Sequence, residues 1–573
     1  TSTSAPIKKN YMLEWREVTG TGITYTLEEC KDSNCYQTSN LTETTINLNY
    51  GYTGTRTYRV QACDSSGCGS YGNLFSIEFY TSPWQTVTPT GPSSMPQFRP
   101  YTISWNSVNN ASYYILEECK GSSCNTTQID LVKYSQNNGY VHRGHEYTGI
   151  RNYRVKACNK AGCANFAQSV SVTTVQLSNN IKSALIYTGY GNSQHEGKID
   201  WSFNQANLDT INKLDAAGVN RLIIAPTSHL SDNYYSMQSN SSGKRYDSCK
   251  PVGTASSAPE NFNGLGVNAG NGFQKDVNDI LALVKASNNT SNIKIWISTP
   301  AVKPDNNEAR YIPINTQIKS WLTWLKGAFA NNWDLIDGIY MFDENFPVCK
   351  LAGTPMLEYF ANIRKELMFD ASLQKLNFVW APDRSANYKE GEVATDTTYG
   401  FSKVEELITG GLDSSEAWGL TPLLNDFSFT PMFDYIFMQP NVYTSVNTNE
   451  GKYDWEVGNP DAWNDLLSKI SSWVLSQSIY STSSVKTRLG VDMEIDRLYG
   501  LYEQKQKRYE AYEDNFNNII NSRPMLFYFH YKHNQAGCSF DSLVDKVSSF
   551  YTTGSSSLGC YSNKGVSLPM PTN

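Results

Sequence analysis

Eight apolar segments separated by stretches of helical periodicity occupy the region after Gln176, and they constrain the fold more than any other feature. They are rich in β-branched and aromatic residues, which is typical of buried strands. Eight strands with helical crossovers in roughly 400 residues fit a (β/α)8 TIM barrel better than an open doubly wound sheet. We therefore predict an α/β barrel domain over residues 177–573. The segments are Ser183 to Gly191, Arg221 to His229, Ile293 to Val302, Ile336 to Phe346, Leu376 to Arg384, Asp434 to Tyr443, Arg488 to Asp496 and Pro524 to Tyr531.

Polar and aromatic side chains gather at the carboxyl ends of these segments, where barrel enzymes place their chemistry. The amino ends carry no comparable cluster, with Asp337 and Asp434 as the main exceptions. The asymmetry is hard to explain by stability alone, so these residues are the candidate site. The set comprises Tyr187, Tyr190, His229, Asp343, Glu344, Trp380, Asp383, Arg384, Gln439, Asn441, Tyr443, Asp492, Glu494, Asp496, His530 and Tyr531.

The seventh segment reads GVDMEID, with acidic residues at every second position. Asp492, Glu494 and Asp496 therefore share one face of the strand, and the apolar residues between them share the other. Because the outer face of a barrel strand packs against helices, we expect the acidic face to point inward. A hydrogen-bonded core network or a bound cation would explain the same pattern. Asp343 and Glu344 end the fourth segment and have an alternative explanation as the N-cap of the next helix.

Two carboxylates that face each other across an aromatic cleft are what glycosidic bond cleavage requires. Glu344 and Glu494, on the fourth and seventh strands, would lie on opposite sides of an eight-stranded barrel. We assign Glu344 as general acid/base and Glu494 as nucleophile or as the base that activates water, with Asp496 and Asp492 as rivals for the second role. We expect hydrogen bonds to sugar hydroxyls from Asp343, Asp383, Arg384, Gln439 and Asn441, stacking on Trp380, Tyr190 and Tyr443, and outer positions for His229, His530 and His533.

This placement resembles the retaining clan A glycoside hydrolases, in which the acid/base follows the fourth strand and the nucleophile ends the seventh. That clan usually has Asn before the acid/base, whereas this chain has Asp343. The chain is also similar to an uncharacterised family of secreted bacterial barrel proteins. Its motifs are matched by Gly-x-Tyr-x-x-x-Glu from Gly338 to Glu344, by Pro440 with Asn441, and by the acidic strand ending at Asp496. The resemblance implies a retaining glycosidase acting on a polysaccharide, by default at internal bonds.

The first 175 residues contain two copies of one unit, with YMLEW and TYTLEEC in the first matched by YTISW and YYILEEC in the second. The copies lie about ninety residues apart, which is the size of a β-sandwich. The early Trp (Trp15, Trp105) and a late Tyr-x-Val strand resemble fibronectin type III domains. We predict such domains at 1–82 and 101–176, joined by a linker at 83–100. A spacer role is favoured over carbohydrate binding because the tryptophans occupy core-like positions.

Twelve cysteines fall mostly in close pairs, and the chain has only six His, so disulfides are favoured over zinc sites. The expected bonds are Cys30–Cys35, Cys63–Cys68, Cys119–Cys124, Cys158–Cys163, Cys249–Cys349 and Cys538–Cys560. Disulfides indicate an oxidising compartment, so we expect a secreted, extracellular or cell-surface protein. The chain opens with TSTSAP and no hydrophobic signal region, so we expect that its leader is missing. Nothing in the sequence demands more than a monomer.

A net charge of -7 without a basic block excludes nucleic acid as a typical partner, and no apolar run is long enough to insert into a membrane. No phosphate-binding glycine motif follows a strand, so neither a dinucleotide nor a nucleoside triphosphate is implied and we expect no cofactor. The strand ends are poor in His, so we also expect no metal. Two other functions stay open. One is a non-catalytic carbohydrate-binding or adhesive protein. The other is a metal-dependent hydrolase or deacetylase with Asp492, Glu494, Asp496 and His530 as ligands.

Overall fold

The computed structural model describes residues 4–81, 83, 85–121, 124, 129–142, 144–160, 162–166, 168–188, 206–226, 236–237, 244–247, 250–254, 273–287, 292–302, 310–312, 315–342, 355–382, 432–440, 460–476, 487–496, 503–530 and 538–554. The chain divides into two compact units. One comprises Thr1–Met95, Tyr101–His142 and Tyr147–Val175; the other comprises Pro96–Pro100, Arg143–Glu146 and Gln176–Asn573.

The first repeat is a β-sandwich, as predicted. Its larger sheet has the order β1-β8-β6-β3-β4 with β7 beside β6, and the smaller sheet is β2-β5. Alternate residues of the strands, such as Leu27, Tyr58 and Phe79, form the core between the sheets. The strands are β1 (Ser4–Pro6), β2 (Tyr11–Glu14), β3 (Thr24–Lys31), β4 (Asn34–Leu41), β5 (Thr45–Leu48), β6 (Gly54–Asp64), β7 (Gly67–Cys68) and β8 (Phe75–Tyr80).

The second repeat has the same larger sheet, in the order β10-β17-β15-β12-β13 with β16 beside β15, and a smaller sheet of three strands, β14-β11-β9. Both repeats are therefore all-β and fibronectin III-like in strand order. The strands are β9 (Pro89–Thr90), β10 (Ser94–Pro96), β11 (Tyr101–Trp105), β12 (Tyr113–Lys120), β13 (Ile129–Ser135), β14 (Gly139–His142), β15 (Gly149–Asn159), β16 (Gly162–Cys163) and β17 (Val170–Val175).

The segment 83–100, predicted as a linker, contains strands β9 and β10. Val87 and Met95 are fully buried in the core of the second repeat. Its prolines suggested a linker, but proline is compatible with short edge strands, because an edge residue does not need its N–H for the ladder.

The four short-range cysteine pairs are disulfide-bonded, as predicted. Cys538 is also disulfide-bonded, and its partner lies outside the described residues. The predicted Cys249–Cys349 bond and the Cys560 end of the last bond also lie outside them.

The remaining chain contains a closed barrel of eight parallel strands, as predicted, in the order β18-β19-β23-β26-β27-β28-β29-β30. Short pairings β20-β24 and β22-β21-β25 lie outside the barrel order. The strands are β18 (Lys182–Thr188), β19 (Arg221–Pro226), β20 (Ser236–Met237), β21 (Lys244–Asp247), β22 (Lys250–Thr254), β23 (Lys294–Ser298), β24 (Ala301–Val302), β25 (Arg310–Ile312), β26 (Ile336–Met341), β27 (Asn377–Trp380), β28 (Tyr435–Met438), β29 (Arg488–Asp496) and β30 (Met525–His530).

Helices separate most of the consecutive barrel strands in the described part of the chain. The first begins at a capping box between Asn207 and Thr210, and the last begins at the cap Ser539 and ends at Gly554 with φ 73°. None of these helices is long and apolar enough to cross a lipid bilayer. They are α1 (Leu208–Ala216), α2 (Phe273–Ala286), α3 (Asn315–Ala328), α4 (Pro355–Phe369), α5 (Pro460–Ser476), α6 (Glu503–Phe516) and α7 (Phe540–Thr553).

The barrel has two apolar layers because its strands alternate. One layer packs between strands and helices and includes Val491, Met493 and Ile495 of β29. The other fills the barrel interior and includes Leu526 and Tyr528 of β30. The alternation predicted for the seventh strand is therefore present: its apolar residues face the helices, and the acidic residues between them lie on the other face of the strand.

Candidate functional site

The structure describes five of the predicted site side chains: Tyr187, Trp380, Gln439, Asp492 and Glu494. Two more residues, Asp496 and His530, end β29 and β30 and lie opposite each other in the strand register. The other predicted residues lie outside the described part of the chain. They are Tyr190, His229, Asp343, Glu344, Asp383, Arg384, Asn441, Tyr443 and Tyr531, together with His533.

Glu494 is fully buried near the carboxyl end of β29, and both of its carboxylate oxygens accept hydrogen bonds. The amide of Gln439 donates to Oε1 at 3.3 Å, and the hydroxyl of Tyr512 donates to Oε2 at 3.1 Å. A buried carboxylate requires such donors to offset the loss of water. Two donors on different oxygens also fix the plane of the carboxylate, so Glu494 has one defined orientation.

Asp492 is a second fully buried carboxylate, two residues before Glu494 on the same strand. The register places Asp492 opposite Leu526 and Glu494 opposite Tyr528, and both of these partners belong to the interior layer. The two acids thus share the inner face of β29. Burial raises the pKa of the Tyr551 hydroxyl, and the negative charge of Asp492 raises it further.

Aromatic side chains line the interior beside these acids. The Tyr187 and Tyr528 rings meet edge to face at 5.1 Å between centroids, and the hydroxyl of Tyr187 donates a hydrogen bond to that of Tyr528. Burial raises the pKa of the Tyr528 hydroxyl above its ordinary value. Tyr340 is fully buried in the same layer, and Phe342 packs against this layer. The barrel interior near Glu494 is therefore both apolar and able to donate hydrogen bonds.

Trp380 corrects one prediction. Its indole belongs to the helix-facing layer, where it packs against Phe360 at 5.7 Å and Phe433 at 5.2 Å between ring centroids. The neighbouring Val379 and Ala381 point into the barrel instead. Because strand residues alternate between faces, Trp380 must point outward, and it is not a stacking surface for a sugar.

The acids at the amino ends of the strands have structural partners. Asp337 forms an ion pair with Arg221 at 2.8 Å. Asp434 is fully buried between Arg364, at 3.0 Å, and Arg99, at 2.8 Å. Asp337 and Asp434, the two acids noted at the amino ends of the strands, are therefore held in ion pairs with arginines. We assign them a structural role and do not include them in the candidate site.

Tyr512 was not predicted from the sequence. It lies on α6, 18 residues after Glu494, and its neighbours in the same apolar layer include Tyr509 and Phe516. Its helical spacing predicts a core position, and that is where its ring lies. Only the position of its hydroxyl next to Glu494 distinguishes it from an ordinary core tyrosine.

Metal binding would need several ligands at close range. The described ends of the barrel strands hold no group of three or more His, Cys, Asp or Glu side chains that could surround an ion. In the first repeat, Glu28 lies near Cys30 and Cys35, but that cysteine pair is a disulfide.

No protein-family model matches the chain, and no curated protein matches it. Solved structures that resemble part of it include the FN1–FN3 domains of chicken CNTN1, with 12% identity, a TM-score of 0.25 and coverage of 30% of this chain and 62% of that one. Another is the fibronectin(III)-like modules of Clostridium thermocellum CbhA, with 12% identity, a TM-score of 0.23 and coverage of 30% of this chain and 90% of that one. The chain thus spans less than two thirds of the chicken structure.

Proposed function

We propose that the chain is a secreted glycoside hydrolase that cleaves a glycosidic bond in a polysaccharide with two carboxylates. The observation that carries the proposal is the Glu494 carboxylate. It is fully buried near the carboxyl end of the seventh barrel strand, and Gln439 and Tyr512 bond its two oxygens. Burying a carboxylate in this way costs stability that an apolar side chain would not. Such a cost is typical of a functional position.

We take the closed parallel barrel, with helices between its strands, to be a (β/α)8 TIM barrel, in which the carboxyl ends of the strands carry the chemistry. The resemblance to the retaining clan A glycosidases then assigns Glu494 as nucleophile and Glu344 as acid/base. Both roles remain predictions from the sequence.

In this mechanism Glu494 attacks the anomeric carbon while Glu344 protonates the leaving glycosidic oxygen. Water then attacks the glycosyl-enzyme, and Glu344 removes its proton, which restores both carboxyl groups. A nucleophile must approach the sugar along one direction. The donors Gln439 and Tyr512 hold the Glu494 carboxylate in one plane, which supports this role.

An extracellular location is also part of the proposal. Four disulfides in the two repeats, together with their fibronectin III-like fold, are consistent with an oxidising compartment. A polysaccharide too large to enter a cell would be accessible to an enzyme outside the cell. Repeats that carry no site of their own would serve as spacers in such an enzyme.

The test is the release of reducing ends from a panel of neutral and acidic polysaccharides by the wild type and three variants. Glu494→Gln and Glu344→Gln remove the two carboxylates and keep their size, so we expect activity to fall by at least ~10³-fold in each. Glu510→Gln is the matched control, because Glu510 is exposed on the same helix as Tyr512. It should keep wild-type activity.

The same panel separates the alternatives. Retention of a polysaccharide by wild type and variants, without any release of reducing ends, would indicate a non-catalytic binding protein. Activity lost to a chelator and restored by a divalent cation would indicate a metal-dependent hydrolase. We expect activity that is insensitive to a chelator and stops in both carboxylate variants.

A further inference from the structure

Gln439 is a buried amide directly after β28, at the carboxyl end of the sixth barrel strand. Its backbone N–H donates to the carbonyl of Pro382 at 3.3 Å, which joins it to the segment that follows β27. β28 also pairs in parallel with β29, the strand that carries Glu494. The backbone at Gln439 is therefore held on both sides, and its side chain lies beside the candidate nucleophile.

The two polar atoms of the Gln439 amide have different surroundings. The amide nitrogen donates to Oε1 of Glu494 at 3.3 Å. The amide oxygen is buried and accepts no hydrogen bond from any residue that the structure describes. Because a carboxylate offers only acceptors, the amide must turn its nitrogen to Glu494 and keep its oxygen for another donor. The contact that orients Glu494 therefore leaves one buried acceptor next to it.

A buried acceptor without a donor destabilises the folded chain, because folding has removed the water that would bond it. Such atoms are rare in folded proteins, and each requires an explanation. A ligand that brings a donor to Gln439 Oε1 would remove the cost. The position of this acceptor, next to the carboxylate that the proposed reaction uses, indicates that the donor belongs to the substrate.

We propose that Gln439 Oε1 accepts a hydrogen bond from the hydroxyl on carbon C2 of the sugar that reacts with Glu494, so that the substrate is a glycoside with a free hydroxyl at C2. This rests on the proposed function, in which Glu494 attacks the anomeric carbon. Two ring atoms flank that carbon. The ring oxygen has no hydrogen to donate, whereas C2 carries a hydroxyl, so the C2 hydroxyl is the donor closest to Glu494.

One planar amide would then orient both reactants. Its nitrogen holds the Glu494 carboxylate, and its oxygen holds the sugar at the atom adjacent to the reacting carbon. Hydrogen bonds to the C2 hydroxyl strengthen in the transition state of glycoside hydrolysis, so this contact assists the reaction as well as binding. A site that bonds a substrate hydroxyl strongly rejects an analogue without it, because the buried acceptor then stays unpaired.

The test compares two forms of one substrate. They are 4-nitrophenyl glycosides of the oligosaccharide that the wild type releases from its polysaccharide, with either hydroxyl or hydrogen at C2 of the unit bound to nitrophenol. Release of nitrophenol gives kcat/KM for each, and the wild type should prefer the hydroxyl form at least ~10²-fold. Gln439→Met and Gln439→Leu lack the acceptor, so this preference should fall at least about tenfold in both. An unchanged preference would overturn the role of Gln439.

Two further variants separate this contact from a purely structural role. Tyr512→Phe removes the other donor to Glu494 but keeps the Gln439 acceptor. It should therefore slow both substrate forms by the same factor, within about twofold. Gln439→Glu keeps an oxygen acceptor and should keep most of the preference, although its charge next to Glu494 should lower kcat. Circular dichroism checks that all variants fold. A preference lost equally in Tyr512→Phe would overturn the role of Gln439, because the orientation of Glu494 would then explain it.

Failure of the proposed function has a different signature. A wild type that releases neither reducing ends nor nitrophenol is not a glycosidase, and the role of Gln439 falls with that activity. A wild type that cleaves both substrate forms with equal kcat/KM is still a glycosidase, and only the contact between Gln439 and the C2 hydroxyl is then wrong.

Discussion

At the scale of single residues, the functional role depends on which way a side chain points. Glu494 lies on the inner face of β29 and accepts hydrogen bonds from Gln439 and Tyr512, whereas Trp380 points towards the helices. Both residues lie near carboxyl ends of barrel strands, and both were predicted site residues. Because successive side chains of a strand point to opposite faces, a shift of one position moves a residue from the barrel interior to the layer under the helices.

Two glycines of the barrel unit should respond to alanine with opposite signs. A Cβ at Gly338 would lie 2.4 Å from Cδ1 of the buried Trp296 indole, so Gly338→Ala overpacks the interior and should cost about 1–3 kcal/mol. A Cβ at Gly327 in α3 would meet nothing within 4 Å, so Gly327→Ala should stabilise by up to about 1 kcal/mol. Urea unfolding of both variants measures the difference. Equal signs would contradict the assigned packing.

At the scale of elements, buried charges join segments that are distant in sequence. Asp434, just before β28, accepts two hydrogen bonds from Arg364 of α4 and a third from the N–H of Phe378 on β27. Arg99, from the short segment Pro96–Pro100, forms an ion pair with the same carboxylate at 2.8 Å. The Asp434 carboxylate therefore holds together a helix, two strands and a segment that is remote in sequence.

Asp434→Asn should destabilise the barrel unit by about 3–5 kcal/mol at pH 7, because two buried guanidinium groups lose their counter-charge. Burial alone would raise the pKa of Asp434, but Arg364 and Arg99 lower it more, and its net pKa lies below the usual range. The stabilisation is therefore complete above the unfolded pKa of about 3.9 and is lost as pH falls through the folded value.

Denaturant unfolding from pH 7 to pH 2 tests this linkage. The gap in stability between wild type and Asp434→Asn should be widest at neutral pH and should narrow below about pH 4. Asp465→Asn is the control, because Asp465 forms an exposed pair with Lys469 on α5 and should change stability by less than about 1 kcal/mol. A gap that stays constant down to pH 2 would contradict the role of Asp434.

At the scale of the whole molecule, the two units are stabilised differently. The barrel unit buries two large apolar layers. The repeats have smaller cores and four disulfides, each joining cysteines five positions apart. A loop of this length contributes about 2 kcal/mol by restricting the unfolded chain. The disulfides thus compensate for part of the stabilisation that the small core of a sandwich does not supply.

Reduction should therefore weaken the repeats first. Pulse proteolysis in mild denaturant, with and without a phosphine reductant, should give new cleavage sites within residues 4–175 when the reductant is present. Peptide mapping by mass spectrometry identifies these sites, and a sample alkylated without reduction is the control. New sites confined to residues 177–573 would contradict this expectation.

The features that depend on local pattern can be predicted from the amino-acid sequence. Apolar runs and turn residues predict the eight barrel strands, period-two alternation predicts the inner face of β29, and short spacing predicts the four disulfides of the repeats. Each of these follows from neighbours within a few residues, which is the range over which strand geometry and chain reach act.

The contacts between distant segments become visible in the folded chain. Barrel closure and helix packing bring Tyr512 to Glu494, Arg99 to Asp434, and Val87 into the core of the second repeat. No local pattern encodes these contacts, because a tyrosine in a helix or a valine near prolines has the same neighbours in sequence whether or not its side chain reaches a distant partner. The physical reason is that burial and hydrogen bonding depend on the assembled surfaces, which form only when the whole chain folds.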